Sequence, residues 1–484
     1  MSADKYEMVV GLEVHVQLKT RSKAFCGCSA DFGAAPNVNT CPVCLGLPGA
    51  LPVVNEQAVM LAARAAISLG CTVYHSSVFA RKNYFYPDLP KGYQITQFDE
   101  PLATGGTVTI DTGAGERTIG ITRLHMEEDA GKSVHDRFPG ETAIDLNRAG
   151  VPLIEIVSEP DMRTAREAGA YLRTLRQILQ YLGVSDVSME QGSLRVDANV
   201  SARLKGEEAL GTKTEVKNMN SFSGVERALE FEFTRQCGLL ERGETVVQHT
   251  LLWDASKSEA RVSRTKEGSN DYRYFPEPDL GPLVLDPDWL SMIKLSLPEL
   301  PDKRKARFAS DFSLDAEDVD KLTADSELAE YFEAVARATG DGKAAANWVM
   351  GEVQALLNTG KGTFDELSVR PADLAQLISM IRDGLVSHAA AKRIFSLMAE
   401  SGKPAAQVAH EHGLLQVGDD AALAGWISEV MTEHPEESRR YIGGERKLQG
   451  VLVGFVMKKS AGKADPKRVN QLLVARAEAA VGPG

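Results

Sequence analysis

Four of the six cysteines lie within nineteen positions, as Cys26-Gly27-Cys28 and Cys41-Pro42-Val43-Cys44. Two close thiol pairs joined by a short loop can close a tetrahedral site for zinc. Four sulfur donors leave no open coordination position, so an ion held there is structural. The other reading is a set of unligated thiols. Cys71 and Cys237 stand alone and read as core or surface residues.

Glu13, His15 and Gln17 alternate with Leu12, Val14, Val16 and Leu18. On a strand that puts a carboxylate and an imidazole side by side on one face, as metal ligands, as an acid/base pair or as a plain polar surface. The segment 124–133 gathers Glu127, Glu128 and Asp129 before Gly131-Lys132-Ser133. Its end imitates a phosphate-binding P-loop, but Met126 stands where that loop needs glycine. The acids themselves suit Mg²⁺, which takes oxygen ligands. Glu155 sits among Leu153, Ile154, Ile156 and Val157. If it is buried it needs a cation or hydrogen bonds; the alternative is an edge strand with Glu155 facing water.

Two further strands carry coherent polar faces. Ser193, Arg195, Asp197, Asn199 and Ser201 share one side, and Lys213, Glu215 and Lys217 another. They line a polar cleft or form a solvated sheet face. Arg81-Lys82-Asn83-Tyr84-Phe85-Tyr86 and Asp271-Tyr272-Arg273-Tyr274 mix cations with aromatics, which suits stacking on a base, or ordinary loop packing.

The elements that position these groups follow from periodicity. Residues 1–297 show short period-two runs: Val9–Leu18, Leu153–Val157, Ser193–Ser201 and Thr212–Asn218. Two helices interrupt them, Glu56–Leu69 with Asn55 as cap and Gly70 beyond it, and Ala165–Leu182. Strands and helices do not alternate one for one, so the fold class is α+β with a largely antiparallel sheet. Leu297-Pro298-Glu299-Leu300-Pro301, followed by charges, marks a linker or domain entry. Beyond it the chain is helical, with Gly342, Gly360, Gly384 and Gly402 as punctuation. The expected domains are 1–297, 298–408 and a small tail, 409–484.

The 484 residues are 43% hydrophobic and 25% charged, which excludes wholesale disorder. No apolar run reaches the roughly 20 residues of a membrane helix, and the first residues do not read as a secretory signal. A cytoplasmic protein is expected. Net charge is −13, yet residues 439–476 hold ten Lys/Arg against two acids. A basic end on an acidic body suits an anionic partner touched at one place.

Taken together, GLEVHVQL (11–18), RKNYFYPDLPKGYQI (81–95), TRLHMEEDAGKS (122–133), PLIEIVSEPD (152–161), EQGSLRVDANVS (190–201), TEVKNMNSF (214–222), DYRYFPEPDL (271–280) and LPELPDKRKARF (297–308) resemble one family along essentially the whole chain. It is the B subunit of the aspartyl/glutamyl-tRNA amidotransferases (GatB). The resemblance implies that ATP activates the side-chain carboxylate of Glu or Asp misattached to tRNA as an acyl phosphate. Ammonia, released from glutamine by a separate amidase, then displaces the phosphate. Partners would be that amidase (glutaminase), a small third component of the complex and misacylated tRNA(Gln) or tRNA(Asn). It further implies a Mg²⁺ or Mn²⁺ site on His15, Glu128 and Glu155, with Glu13 beside them. Lys82 is expected at phosphate, and Tyr84 or Tyr86 at adenine or the tRNA end. Arg195, Asp197, Glu215 and Lys217 would line the cleft and the ammonia path. In the tail, Lys458, Lys459, Lys463, Lys467 and Arg468 would touch tRNA, and the four-cysteine metal would be scaffold.

Overall fold

The computed structural model describes residues 5–265, 272–359, 364–416 and 419–481. The chain divides into two compact units, Met1–Pro301 and Asp302–Gly484. Gly360 and Asp271, singled out from the sequence, lie outside the described residues.

The first unit is built on a sheet of thirteen strands among the described residues. Its centre is Tyr6–Gln17, flanked by Leu194–Leu204 and Pro152–Ser158. Outward from the first flank lie Thr214–Lys217, His249–Asp254 and Glu259–Thr265; outward from the second lie Glu116–Glu128, Tyr93–Thr96, Ala80–Asn83 and Phe275–Pro276. All pairs on this path are antiparallel except Thr214–Lys217 beside His249–Asp254. The mixed, largely antiparallel sheet is the α+β architecture the sequence implies.

Alternation in the central strand explains the layering. Met8, Val10, Leu12, Val14 and Val16 are buried in the main core, while Glu13, His15 and Gln17 turn to the other, partly open face. The apolar face is covered by helices. Glu56–Ser68 contributes Ala58, Leu61, Ala62 and Ala65; Ala165–Tyr181 contributes Leu172, Leu175 and Leu179; Phe222–Glu241 contributes Val225, Ala228 and Leu229. Each begins at a side-chain cap: Asn55, Thr164 and Ser221 accept from the backbone N–H groups of Ala58, Glu167 and Gly224. Leu69 and Leu182, expected inside their helices, are the residues that close them.

The second unit is helical. Asp302 to Lys305 form the first turn of Pro301–Phe312 rather than a linker, with proline at a start where its missing N–H costs nothing. Two separate apolar clusters follow. One gathers Phe308, Phe332, Trp348, Leu377 and Phe395; the other gathers Leu423, Tyr441, Leu452, Val456 and Leu473. Val408 and Ala409 both pack in the earlier cluster, within the Ala405–Glu411 helix. The expected boundary at 408/409 therefore cuts a helix, and the clusters part between Leu414 and Leu423. No helix among the described residues is long and apolar enough to cross a membrane.

Asn55 does more than cap. Its Nδ2 donates to the carbonyls of Ser22 and Lys23 at 3.0 and 3.1 Å, tying the helix to the segment that leads into the cysteines. Asn55→Ala removes the cap and both anchors. It should destabilise the first unit by about 2 kcal/mol, read as a lowered urea midpoint.

Candidate active site and metal centre

Strand register assembles the polar face. His15 lies directly opposite Glu155 on one neighbour and Arg195 on the other. Glu155 in turn faces His125, Glu13 faces Asp197, and Asn199 faces Glu215. Opposed residues on antiparallel strands share a face and bring their side chains within reach.

Four side chains converge in the first cluster. His15 Nε2 is 3.3 Å from Glu155 Oε2 and 3.6 Å from Glu127 Oε1. His125 Nε2 is 3.7 Å from the same Glu155 oxygen. One ligand atom from each of His15, Glu127 and Glu155 lies within 4.8 Å of the others. Burial works against charge on His15, but Glu155, Glu127 and Asp197 outweigh it and raise the imidazole to about 9. His125, buried with less compensation, falls to about 4. Burial pushes Glu127 up, and Glu155 adds to the push. Burial pushes Glu155 up as well, yet His125, His15 and Lys82 hold it far below the usual carboxylate range.

The sequence reading places Glu128 in this ligand set; the structure places Glu127 there. Neighbouring residues on a strand face opposite sides. Glu127 joins His15 and Glu155. Glu128 instead forms a buried ion pair with Lys91 and accepts the Ile95 N–H at 2.9 Å. The signal was present in the sequence, since Glu127 is two residues from His125 and shares its face. Lys91 went unassigned because its partner is 37 positions away.

The other expected groups divide. Lys82 lies beside the cluster: against burial, Glu127, Tyr274 and Glu155 raise its affinity for a proton, and its Nζ is 5.1 Å from the Tyr272 ring centroid. Tyr84 is half-buried, edge-on to Tyr272 at 6.2 Å. Tyr86 is 62% exposed on a turn, outside this packing. Arg81 is committed to Glu277 at 2.6 and 2.7 Å. Glu13, Asp197 and Glu215 form a second acidic group, but Lys217 already pairs with Asp197 and with Glu215. Arg195 is drawn off to Asp129 at 2.9 Å, which also accepts from Gln17 at 2.8 Å. Asp129 is held low by Arg195 and Arg148 despite its burial.

The cysteines converge as their spacing implies. One sulfur from each of Cys26, Cys28, Cys41 and Cys44 lies within 4.8 Å of the rest, and all are free thiols. Cys41 and Cys44 Sγ are 3.9 Å apart, near the roughly 3.8 Å edge of a zinc–thiolate tetrahedron. The Cys26 thiol donates to Cys44 and lowers it to about 4, although burial works the other way. A cavity of about 180 Å³ has Cys26, Cys44 and Gly46 among its lining residues together with Lys91 and Glu128.

In the tail, Lys459 pairs with Glu429 and Glu433, and Arg468 with Asp420. Lys458, Lys463 and Lys467 are exposed and have no ion pair among the described residues.

A polar sheet face carrying the His15, Glu127 and Glu155 group, followed by a helical unit, defines the class, and comparison with known proteins agrees. Residues 8–291 match the model of the GatB/GatE catalytic domain, and residues 330–476 match that of the GatB domain. The chain is 51% identical to the B subunit of the aspartyl/glutamyl-tRNA(Asn/Gln) amidotransferase of Pelodictyon phaeoclathratiforme, covering 98% of this chain and all of the relative. It is 52% identical to the proteins of the same name from Chlorobium luteolum and Moorella thermoacetica, each over 98% of this chain and the whole relative. The chain belongs to the GatB family.

A divalent cation on His15 must displace the imidazole proton held up to about 9. Mn²⁺ binding should therefore release a proton, tighten about tenfold per pH unit below 9 and level off above it. Calorimetry in buffers of different ionisation heat reads both effects, and His15→Gln should abolish the proton release.

Proposed function

We propose that this chain is the component of a tRNA-dependent amidotransferase that activates and amidates the misattached amino acid. The observation that carries the reading is the His15–Glu127–Glu155 triad with Lys82 beside it, on the sheet of a GatB-family chain. In this reading ATP phosphorylates the side-chain carboxylate of Glu-tRNA(Gln), Asp-tRNA(Asn) or both. Ammonia then attacks the acyl phosphate, phosphate leaves, and the amide forms with loss of a proton.

The donor set of two carboxylates and an imidazole fits Mg²⁺ through oxygen and Mn²⁺ through all three. When bound, such an ion would neutralise charge on phosphate oxygens. The chain's own groups do the rest. Lys82 places an ammonium where transferred phosphate would gather negative charge. Tyr84 and Tyr272 offer aromatic faces beside it. Burial of Glu127 and Glu155 limits water around their carboxylates, and an acyl phosphate is unstable against water. The described residues hold no Cys or Ser nucleophile paired with a base in this cluster, so a partner amidase is the proposed ammonia source, with a small third protein completing a cytoplasmic complex. The cysteine centre is proposed to hold zinc as scaffold.

Activity of the complex on misacylated tRNA, with ATP, Mg²⁺ and free ammonia, tests the assignment. Glu127→Gln should lower product formation about 100-fold or more while tRNA affinity stays within about twofold. Equal losses in both would mean that the triad serves folding or tRNA binding.

The tail is proposed to contact tRNA phosphates through Lys458, Lys463 and Lys467, three exposed lysines without an ion pair among the described residues. Replacing all three by Gln should weaken tRNA binding and lower the slope of log affinity against log salt by about 2. Lys459→Gln, which breaks an internal pair instead, should leave that slope nearly unchanged.

A further inference from the structure

Lys23 is fully buried, with no exposed surface at all. A buried ammonium is costly unless a counter-charge and hydrogen bonds compensate. Its three N–H groups have three neighbours. Nζ donates to the Asn39 carbonyl at 2.6 Å, to the Leu146 carbonyl at 3.4 Å and to Cys44 Sγ at 3.7 Å. No carboxylate forms an ion pair with Lys23 among the described residues, although buried Lys91 close by has Glu128. Among the described residues the Cys44 sulfur is thus the one side-chain atom that accepts from Nζ.

The surrounding chain packs on this contact. Gly150, whose φ of +86° favours glycine, lies against both residues: a Cβ there would be in ordinary contact with Cys44 Cβ at 3.4 Å and Lys23 Cδ at 3.5 Å. Its carbonyl accepts from Ala24 N–H at 2.8 Å, which fixes the segment that carries Lys23. The Lys23 N–H bonds the Cys28 carbonyl at 3.0 Å, so the same residue also anchors the first thiol pair through its backbone.

We infer that Lys23 is a positioning residue of the four-cysteine metal centre, its buried ammonium neutralising the Cys44 thiolate and so setting the affinity for the ion. The inference rests on the cysteines holding a metal. Four thiolates around a dication leave two excess negative charges, and one ammonium removes half of that excess. Groups that hydrogen bond metal ligands from outside commonly change affinity by about 10- to 100-fold when removed.

The test uses the full-length chain. Zinc content and zinc affinity by chelator competition are measured for the wild type, Lys23→Met and Lys23→Gln. The wild type should bind one zinc, and both variants should bind it at least about tenfold more weakly. Lys23→Gln keeps a donor for the carbonyls, so it supplies the result where Lys23→Met does not fold. Stability is then compared with and without zinc. A loss confined mainly to the zinc-loaded chain supports the inference. Unchanged zinc affinity, or an equal loss in loaded and stripped chains, overturns it and leaves Lys23 as a tie between two carbonyls. A wild type that binds no zinc overturns the metal reading itself.

Discussion

The polar face depends on charges being held opposite one another by an apolar layer that they never touch. His15, Glu155, Arg195, Glu13 and Asp197 have no freedom of register, because Leu12, Val14, Val16, Val196, Ile154 and Ile156 are buried on the reverse of the same strands. A one-residue slip would carry an imidazole and carboxylates into the hydrocarbon core and apolar side chains out of it. Apolar burial worth about 2 kcal/mol per side chain and the several kcal/mol cost of burying a lone charge both oppose the slip. The geometry of the triad is therefore set by hydrophobic packing, and its electrostatics follow from that.

Once register is fixed, the charges compete. Glu127 and Glu155 repel each other across His15, and burial raises the energy of both anions. The conflict is settled unequally. Glu155 is fixed as an anion by the His15 imidazolium and Lys82, while Glu127 is left with a raised proton affinity. A protonated His15 between them supplies one positive charge to the two carboxylates. The second acidic group shows the opposite arrangement. There Lys217, a covalent cation, pairs with Asp197 and with Glu215. The two acidic groups thus differ in what lies between their carboxylates, an imidazole in the first and an ammonium in the second.

What the sequence made legible was local and periodic. The alternation around His15 gave the strand and its faces, Asn55 gave a helix start, and the cysteine spacing gave the sulfur cluster. What it hid was pairing across distance. Arg195 pairs with Asp129, and Arg81 donates through Nε and Nη2 to Glu277, across separations that no local pattern reveals. Lys459 and Arg468 count toward a basic tail in composition, yet acids on neighbouring helices neutralise them. Charge summed along a segment measures how many cations are present, whereas only the fold decides how many remain free. At Glu128 the difference is of another kind, because strand parity from His125 favours Glu127, which joins His15 and Glu155.

Glu127 and Glu128 also join two regions that the sequence treats separately. One faces the triad; the other faces Lys91 and the cavity that Cys26 and Cys44 help to line. Gly46, just past Cys44 and at φ +67°, packs on Lys91 so closely that a Cβ would collide with its side chain and stand 3.1 Å from its Cα. The thiol loop therefore bears on Lys91, Lys91 on Glu128, and Glu128 on the strand end that carries Glu127. Close-packed interiors pass on small displacements because there is no void to absorb them. An ion held by the four cysteines would in this way constrain the triad, through side-chain contacts and a single peptide bond.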